Sequence, residues 1–195
     1  MAILKIAHMG HPILRMKSVP VENPCAPEIS CFVEDMMDTL NDAGGVGLAA
    51  PQVHNSIRLV IFKVPAMRAA PERYKAAGLE EESEEVPLTV LINPQIEAIG
   101  SETNLAFEGC LSIPDMMGQV NRHSHILYRG VGLKGQLIER EAKGFHARVV
   151  QHECDHLDGV LYPQRISDLA AFGYNKELAK SIGPVGVDEN VEDQP

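Results

Sequence analysis

The chain lacks any apolar run approaching the roughly 18–20 residues that cross a bilayer, so no transmembrane helix is expected. Its first residues, Met1-Ala2-Ile3-Leu4-Lys5-Ile6, lack a basic segment followed by a sustained apolar stretch. They also lack the Arg- and Ser-rich character of an organelle import signal, and the expected location is therefore the cytoplasm. Positive charge is short as well: the formal charge is −10 at pH 7, whereas a general nucleic-acid binder needs a basic footprint. Much of the acidity is local, with five Glu around Ser83 between Glu80 and Glu85, and Asp188, Glu189, Glu192 and Asp193 near the C-terminus. Both runs are expected to be solvated surface. Cysteine is scarce, at positions 25, 31, 110 and 154, with no CxxC pair. That pattern excludes a disulfide framework in a reducing compartment and leaves free thiolates available as metal ligands. No internal repeat is visible.

What is present is an ordinary globular composition: 195 residues, 45% hydrophobic and 23% charged, enough for one sizeable core. Residues 28–42 place Ile29, Phe32, Val33, Met36, Met37 and Leu40 at three- and four-residue steps, which predicts an amphipathic helix. Pro27 suits its first position and Gly44-Gly45 its stop. Arg58 to Val64 and Leu88 to Asn93 read as strands, and the polar stretch 66–87 between them reads as a surface insertion. Ile126 to Tyr128, Val131 to Leu133 and Gln136 to Ile138, broken at glycines, predict a meander within 119–142. Residues 145–158 read as a helix closed by Gly159, with Val149, Val150, Cys154 and Leu157 as buried candidates. Ser167 to Ser181 reads as a last helix. The acidic tail, 183–195, is expected to be disordered. The fold class is α+β, with antiparallel β-sheets packed around a central helix that carries the motif described next.

His152-Glu153-Cys154-Asp155-His156 matches H-E-x-x-H and falls on the helix predicted for 145–158. Residues i and i+4 share a helix face, so both imidazoles can reach one metal ion. Glu153, one residue along, is placed to take a proton from a water that the metal acidifies. A catalytic site of this type needs a third protein ligand. The HExxHxxGxxH extension is ruled out, because Gly159 is in place but Tyr162 stands where the third His belongs. Glu177 downstream is one candidate for the third ligand, and Cys110 in Glu108-Gly109-Cys110-Leu111-Ser112 is a stronger one. A thiolate with two imidazoles forms a sound tetrahedral set for zinc or ferrous iron. Gly109 permits close backbone approach, and Glu108 is an acceptor able to orient a ligand His from behind. A third segment, Gly45-Val46-Gly47-Leu48-Ala49-Ala50-Pro51-Gln52, combines small residues with an amide that can serve a developing oxyanion.

Together GVGLAAPQ (45–52), EGCLS (108–112) and QHECDH (151–156), in this order, resemble the motifs of the peptide deformylase family. The resemblance runs from Gly10-His11-Pro12 to about Ile166 and implies one catalytic domain over 1–182. It implies removal of the N-formyl group from N-formylmethionine of newly made polypeptides, with release of formate. Carried over residue by residue, it makes Cys110, His152 and His156 the metal ligands and Glu153 the general base. Gln52 and the backbone N–H of Leu111 become the oxyanion donors. Val46 and Gly47 pair with a peptide bound as an added strand, and Val149 lines the methionine pocket, with Phe145 a weaker candidate. The metal implied is Fe²⁺, with Zn²⁺, Ni²⁺ or Co²⁺ as alternatives. The partners implied are formylmethionyl nascent peptides and, transiently, the ribosome, with no reading of nucleic acid and no membrane.

Arg122 is a candidate brace for Asp155, and Cys154 is expected to pack rather than ligate. His123 and His125, on one face of a predicted strand and without an acidic partner, are expected at the surface. No basic residue follows the Cys motif in Ile113 to Gly118, where some relatives carry one that contacts substrate. Two rival functions share these motifs. An endopeptidase would take its third ligand after His156, and a non-catalytic peptide binder would need neither Glu153 nor Gln52.

Overall fold

The computed structural model describes residues 2–66 and 84–182. The interior of the 66–87 insertion and the 183–195 tail lie outside the described residues. Helix α1, Pro27–Asp42, starts with Pro at its first turn and Glu28 near the positive end of the helix dipole. It buries Val33, Met36 and Leu40 on one face and ends as the chain turns through Gly44 at φ 62°.

Among the described residues eight strands follow, in two antiparallel sheets. β1 (Gly47–Ala49), β2 (Leu59–Val64), β3 (Val86–Ala98), β6 (His125–Val131) and β7 (Leu137–Lys143) form the first, in the order β1-β2-β3-β6-β7. β4 (Thr103–Cys110), β5 (Ile113–His123) and β8 (Phe172–Tyr174) form the second, in the order β4-β5-β8. β4 and β5 are joined by the two-residue link Leu111-Ser112, and their register slips between Gly109 and Cys110. Such an irregularity re-aims the side chain beside it, and here that side chain is the Cys110 thiol.

Helix α2, Gly144–Leu157, has 12 of its 14 residues buried, so it is surrounded rather than laid on a surface. Phe145, Val149, Val150, Cys154 and Leu157 pack with Phe62, Leu91 and Tyr128 of the first sheet. Arg148 and Gln151 reach the second sheet. Gly159, at φ 72°, closes the helix where any Cβ would overlap the backbone of Arg15.

The expected fold class agrees with this architecture, and three local expectations need correction. The helix predicted over Ser167 to Ser181 is broken: a 3-10 turn at Leu169–Ala171, then β8, then helix α3 from Asn175 to Ile182. β8 exists because Met116–Gly118 of β5 offers it a ladder, a tertiary partner that local propensity cannot register. The strand predicted for Val131 to Leu133 ends at Val131, because Gly132 and Gly135 turn the chain: Gly135 N–H donates to the Gly132 carbonyl. His123 and His125 lie on different strands, β5 and β6, and His125 does have an acidic partner, Glu141, at 2.8 Å.

Candidate metal centre

The two sheets and α2 bring three donors together. Cys110 comes from the end of β4, and His152 and His156 lie one turn apart on α2. Their ligand atoms all lie within 4.8 Å of one another, and Cys110 Sγ stands 3.3 Å from His156 Nε2. The rings of His152 and His156 are 5.1 Å apart at 74°, edge toward face. Among the described residues no other trio of His, Cys, Asp or Glu has this geometry. Glu177, the alternative third ligand, is exposed on α3 and paired with Lys180.

These donors fit a tetrahedral divalent ion. Metal–sulfur and metal–nitrogen bonds of about 2.3 and 2.0 Å leave neighbouring ligand atoms roughly 3.3–3.6 Å apart. The two imidazoles differ in their electrostatic surroundings. His156 is buried, and burial together with the charge on His152 and Arg122 holds its pKa well below the ordinary value. It therefore stays a neutral imidazole with a lone pair to give. Burial also opposes charge on His152, but its hydrogen bonds to Cys110 and Glu108 override this and raise its pKa. Its Nδ1 faces Glu108 Oε2 at 2.8 Å, so Nε2 is the nitrogen turned to the other donors.

Glu153, one residue beyond His152, is buried, and its Oε2 has no hydrogen-bond partner. Burial pushes its carboxyl up to about 7, with the Glu108 charge adding to the rise and His152 and Arg122 opposing it. The carboxyl lies against the backbone of Gly47, where a Cβ would overlap it. Gln52 is buried in the 3-10 turn after β1. Its Oε1 accepts from Ala49 N–H at 2.8 Å, which fixes the amide so that Nε2 donates to Ser112 Oγ at 3.1 Å and approaches Cys110 Sγ at 3.5 Å. Leu111 follows Cys110 directly in the β4–β5 link, and its side chain reaches Gly45. Val46 packs against the cluster that contains Val149 and Phe145. Among the described residues β1 is an edge strand, with β2 its one neighbour in the sheet.

Behind the ligands stands a buried charge network. Arg122 donates from Nε and Nη2 to the two oxygens of Glu108 (2.8 and 2.9 Å) and from Nη1 to Asp155 Oδ2 (2.5 Å). The expected brace between Arg122 and Asp155 is thus present, and part-buried. Burial works against the Glu108 charge, yet Arg122 and His152 hold its pKa below the usual carboxylate range. Cys154 is buried and its thiol is pushed up by burial, as suits a packing residue. Three features went unread in the sequence: Ser112 as a partner of Gln52, Arg148 as a second partner of Glu108, and Tyr162 stacked on His152 at 6.2 Å and 24°. Only Arg148 left a signal, as a charge one helical turn before the ligand His152 and on its face.

A buried H-E-x-x-H helix among antiparallel sheets, completed by a strand-borne cysteine, is the donor arrangement of a metal-dependent hydrolase. The family model of polypeptide deformylase matches residues 3–171. The chain is 48% identical over 183 residues to peptide deformylase 1 of Bordetella pertussis, covering 94% of this chain and 97% of that one. It is 48% identical over 178 residues to peptide deformylase 2 of Pseudomonas putida, covering 90% and 94%. Among solved structures it is similar to a Met-Ala-Ser-bound class I type b peptide deformylase from Acinetobacter baumannii. There the TM-score is 0.74 and the identity 35%, over 85% of this chain and 99% of that one. The peptide deformylase of Thermotoga maritima gives a TM-score of 0.72 at 33% identity, over 86% and 100%. The chain belongs to the polypeptide deformylase family, metal-dependent hydrolases that remove the formyl group from new polypeptides.

Proposed function

We propose that this chain hydrolyses the formyl amide of formylmethionyl peptides at the Cys110/His152/His156 centre, with Glu153 as general base. The observation that carries the mechanism is the Glu153 carboxyl: buried, one oxygen unpartnered, its pKa lifted to about 7, and one residue from a ligand. A structural glutamate would be paired, whereas an unpaired one poised near neutrality suits proton transfer. Cys110, His152 and His156 would hold a divalent ion, which would supply Lewis acidity and lower the pKa of water. Fe²⁺ is the reading carried over from the family resemblance, and Zn²⁺, Ni²⁺ and Co²⁺ suit the same thiolate–imidazole set.

The chain's own residues do the rest. Glu153 takes a proton from the attacking water as its oxygen bonds to the formyl carbon. The Gln52 amide, held by Ala49, and the Leu111 N–H receive the negative charge that gathers on the former carbonyl oxygen. The carbon–nitrogen bond then breaks, Glu153 passes its proton to the departing amine, and formate leaves. The peptide lies as an added strand along the open edge of β1, paired to Val46 and Gly47. The methionine side chain enters beside Val149, with Phe145 deeper in the same cluster. Because Gly47 has no side chain, Glu153 can approach that edge closely.

The test is formate release from a short formylmethionyl peptide by protein purified without oxygen and loaded with Fe²⁺ or Ni²⁺. Glu153→Ala is assayed beside it and should keep its metal but lose turnover. Metal-loaded protein that releases no formate would overturn the reading.

A further inference from the structure

Glu108 faces four donors, two on each oxygen. Oε1 accepts from Arg122 Nε and Arg148 Nη1, both at 2.8 Å; Oε2 accepts from Arg122 Nη2 at 2.9 Å and meets His152 Nδ1 at 2.8 Å. Arg148 and His152 are four residues apart on α2, so the same helix face sends two side chains to opposite oxygens of one carboxylate. Arg148 is itself buried and is anchored at its far end. Nη1 also donates to the Val120 carbonyl at 2.9 Å, and Nη2 donates to the carbonyl and Oδ1 of Asn104 at 2.7 and 3.0 Å. Its guanidinium therefore cannot follow Glu108 if the carboxylate turns.

We propose that Arg148 is a positioning residue for the metal centre: it locks the rotation of the Glu108 carboxylate and thereby fixes the imidazole of His152 toward the metal. Arg122 alone does not supply this, because its Nη1 is committed to Asp155, which also pairs with Arg165 at the protein surface. Motion of that outer pair would swing Arg122 and Glu108 together. Arg148 ties the same carboxylate instead to the backbone of two strands. A carboxylate so held keeps the proton of His152 on Nδ1 and leaves Nε2 free as a ligand.

The inference rests on His152 being a ligand, and the experiment keeps the two claims apart. Metal affinity is measured by competition with a chelator, and the visible spectrum is recorded for the Co²⁺-loaded protein. Arg148→Gln, Arg148→Lys and His152→Ala are compared with the wild type alongside their thermal midpoints. Arg148→Gln keeps a donor but loses the charge and the fork, and should weaken metal affinity about tenfold and alter the Co²⁺ spectrum. Arg148→Lys keeps a cation for Oε1 but cannot span Val120 and Asn104 as well. It should therefore also weaken metal affinity, by less than Arg148→Gln, while melting lower. If both Arg148 variants lower only the midpoint, leaving affinity and spectrum unchanged, Arg148 is merely a clamp between α2 and the second sheet, and the proposal fails. If His152→Ala binds metal like the wild type, the ligand assignment itself fails.

Discussion

His146 is buried on α2 between the rings of Phe62 and Tyr128, with centroids 5.9 and 5.6 Å away, and its Nε2 has no partner. Burial, reinforced by the charge of Arg140 and opposed by that of Glu84, lowers its pKa from 6.5 to about 4. The folded state thus refuses a proton that the unfolded chain accepts anywhere below pH 6.5. Protons bind more to the unfolded chain in that window, so stability falls as pH drops through it and the loss is complete below about pH 4. A displacement of this size corresponds to about 3 kcal/mol in full, and about 2 kcal/mol is already lost at pH 5. His146→Leu removes the titration while keeping an apolar side chain of similar volume among the two rings. Urea unfolding of both proteins at pH 7 and pH 5 should show the mutant's advantage growing by about 2 kcal/mol between the two conditions. The ligand histidines also respond to acid, but they are common to both proteins and cancel in the difference. Stability curves that run parallel from pH 7 to 5 would refute the argument, because they would mean that His146 finds a partner or water on protonation.

Three further outcomes follow from the same geometry. Gly47→Ala places a methyl group on the Glu153 carboxyl and turns it from the site, so kcat/KM should fall by about 100-fold with metal content unchanged, read by formate release and metal analysis. Equal loss of metal and activity would point to collapse of the site instead. Tyr162→Phe deletes a buried hydroxyl that lacks a partner, and it should raise unfolding stability by about 1 kcal/mol in urea; a loss of stability would reveal a bond that the hydroxyl makes. Cys110→Ser should release the metal to a chelator that the wild type resists, whereas Cys154→Ser should keep it and lose only packing stability.

The parts of this molecule that were legible in the sequence are those whose geometry follows from a local period. His152 and His156 share a face because a helix repeats every 3.6 residues, and Gly159 marks its end for a reason of backbone conformation. α1 was readable on the same ground. What stayed hidden depends on ladder partners far along the chain. β8 is three residues in a stretch with helix-forming neighbours, and only its pairing to Met116–Gly118 makes it a strand. β4 gave no alternating pattern, because Ala106, Phe107 and Glu108 are buried in succession between β5, α2 and the turns after it. Arg148 went unread, since its partners Asn104 and Val120 lie 44 and 28 residues away.

The E-G-C segment stands between these cases. Glu108 and Cys110 lie two residues apart at the end of β4, and both reach one neighbour. That neighbour is His152: Glu108 holds the back of its ring, while Cys110 stands on the metal side. A register slip between Gly109 and Cys110 lies beside the thiol, which stands 3.3 Å from His156 Nε2. Within three residues β4 thus supplies a ligand and the acceptor that orients a second ligand. A substitution at Glu108 should therefore be felt in metal affinity through His152, although Glu108 is not itself one of the three donors.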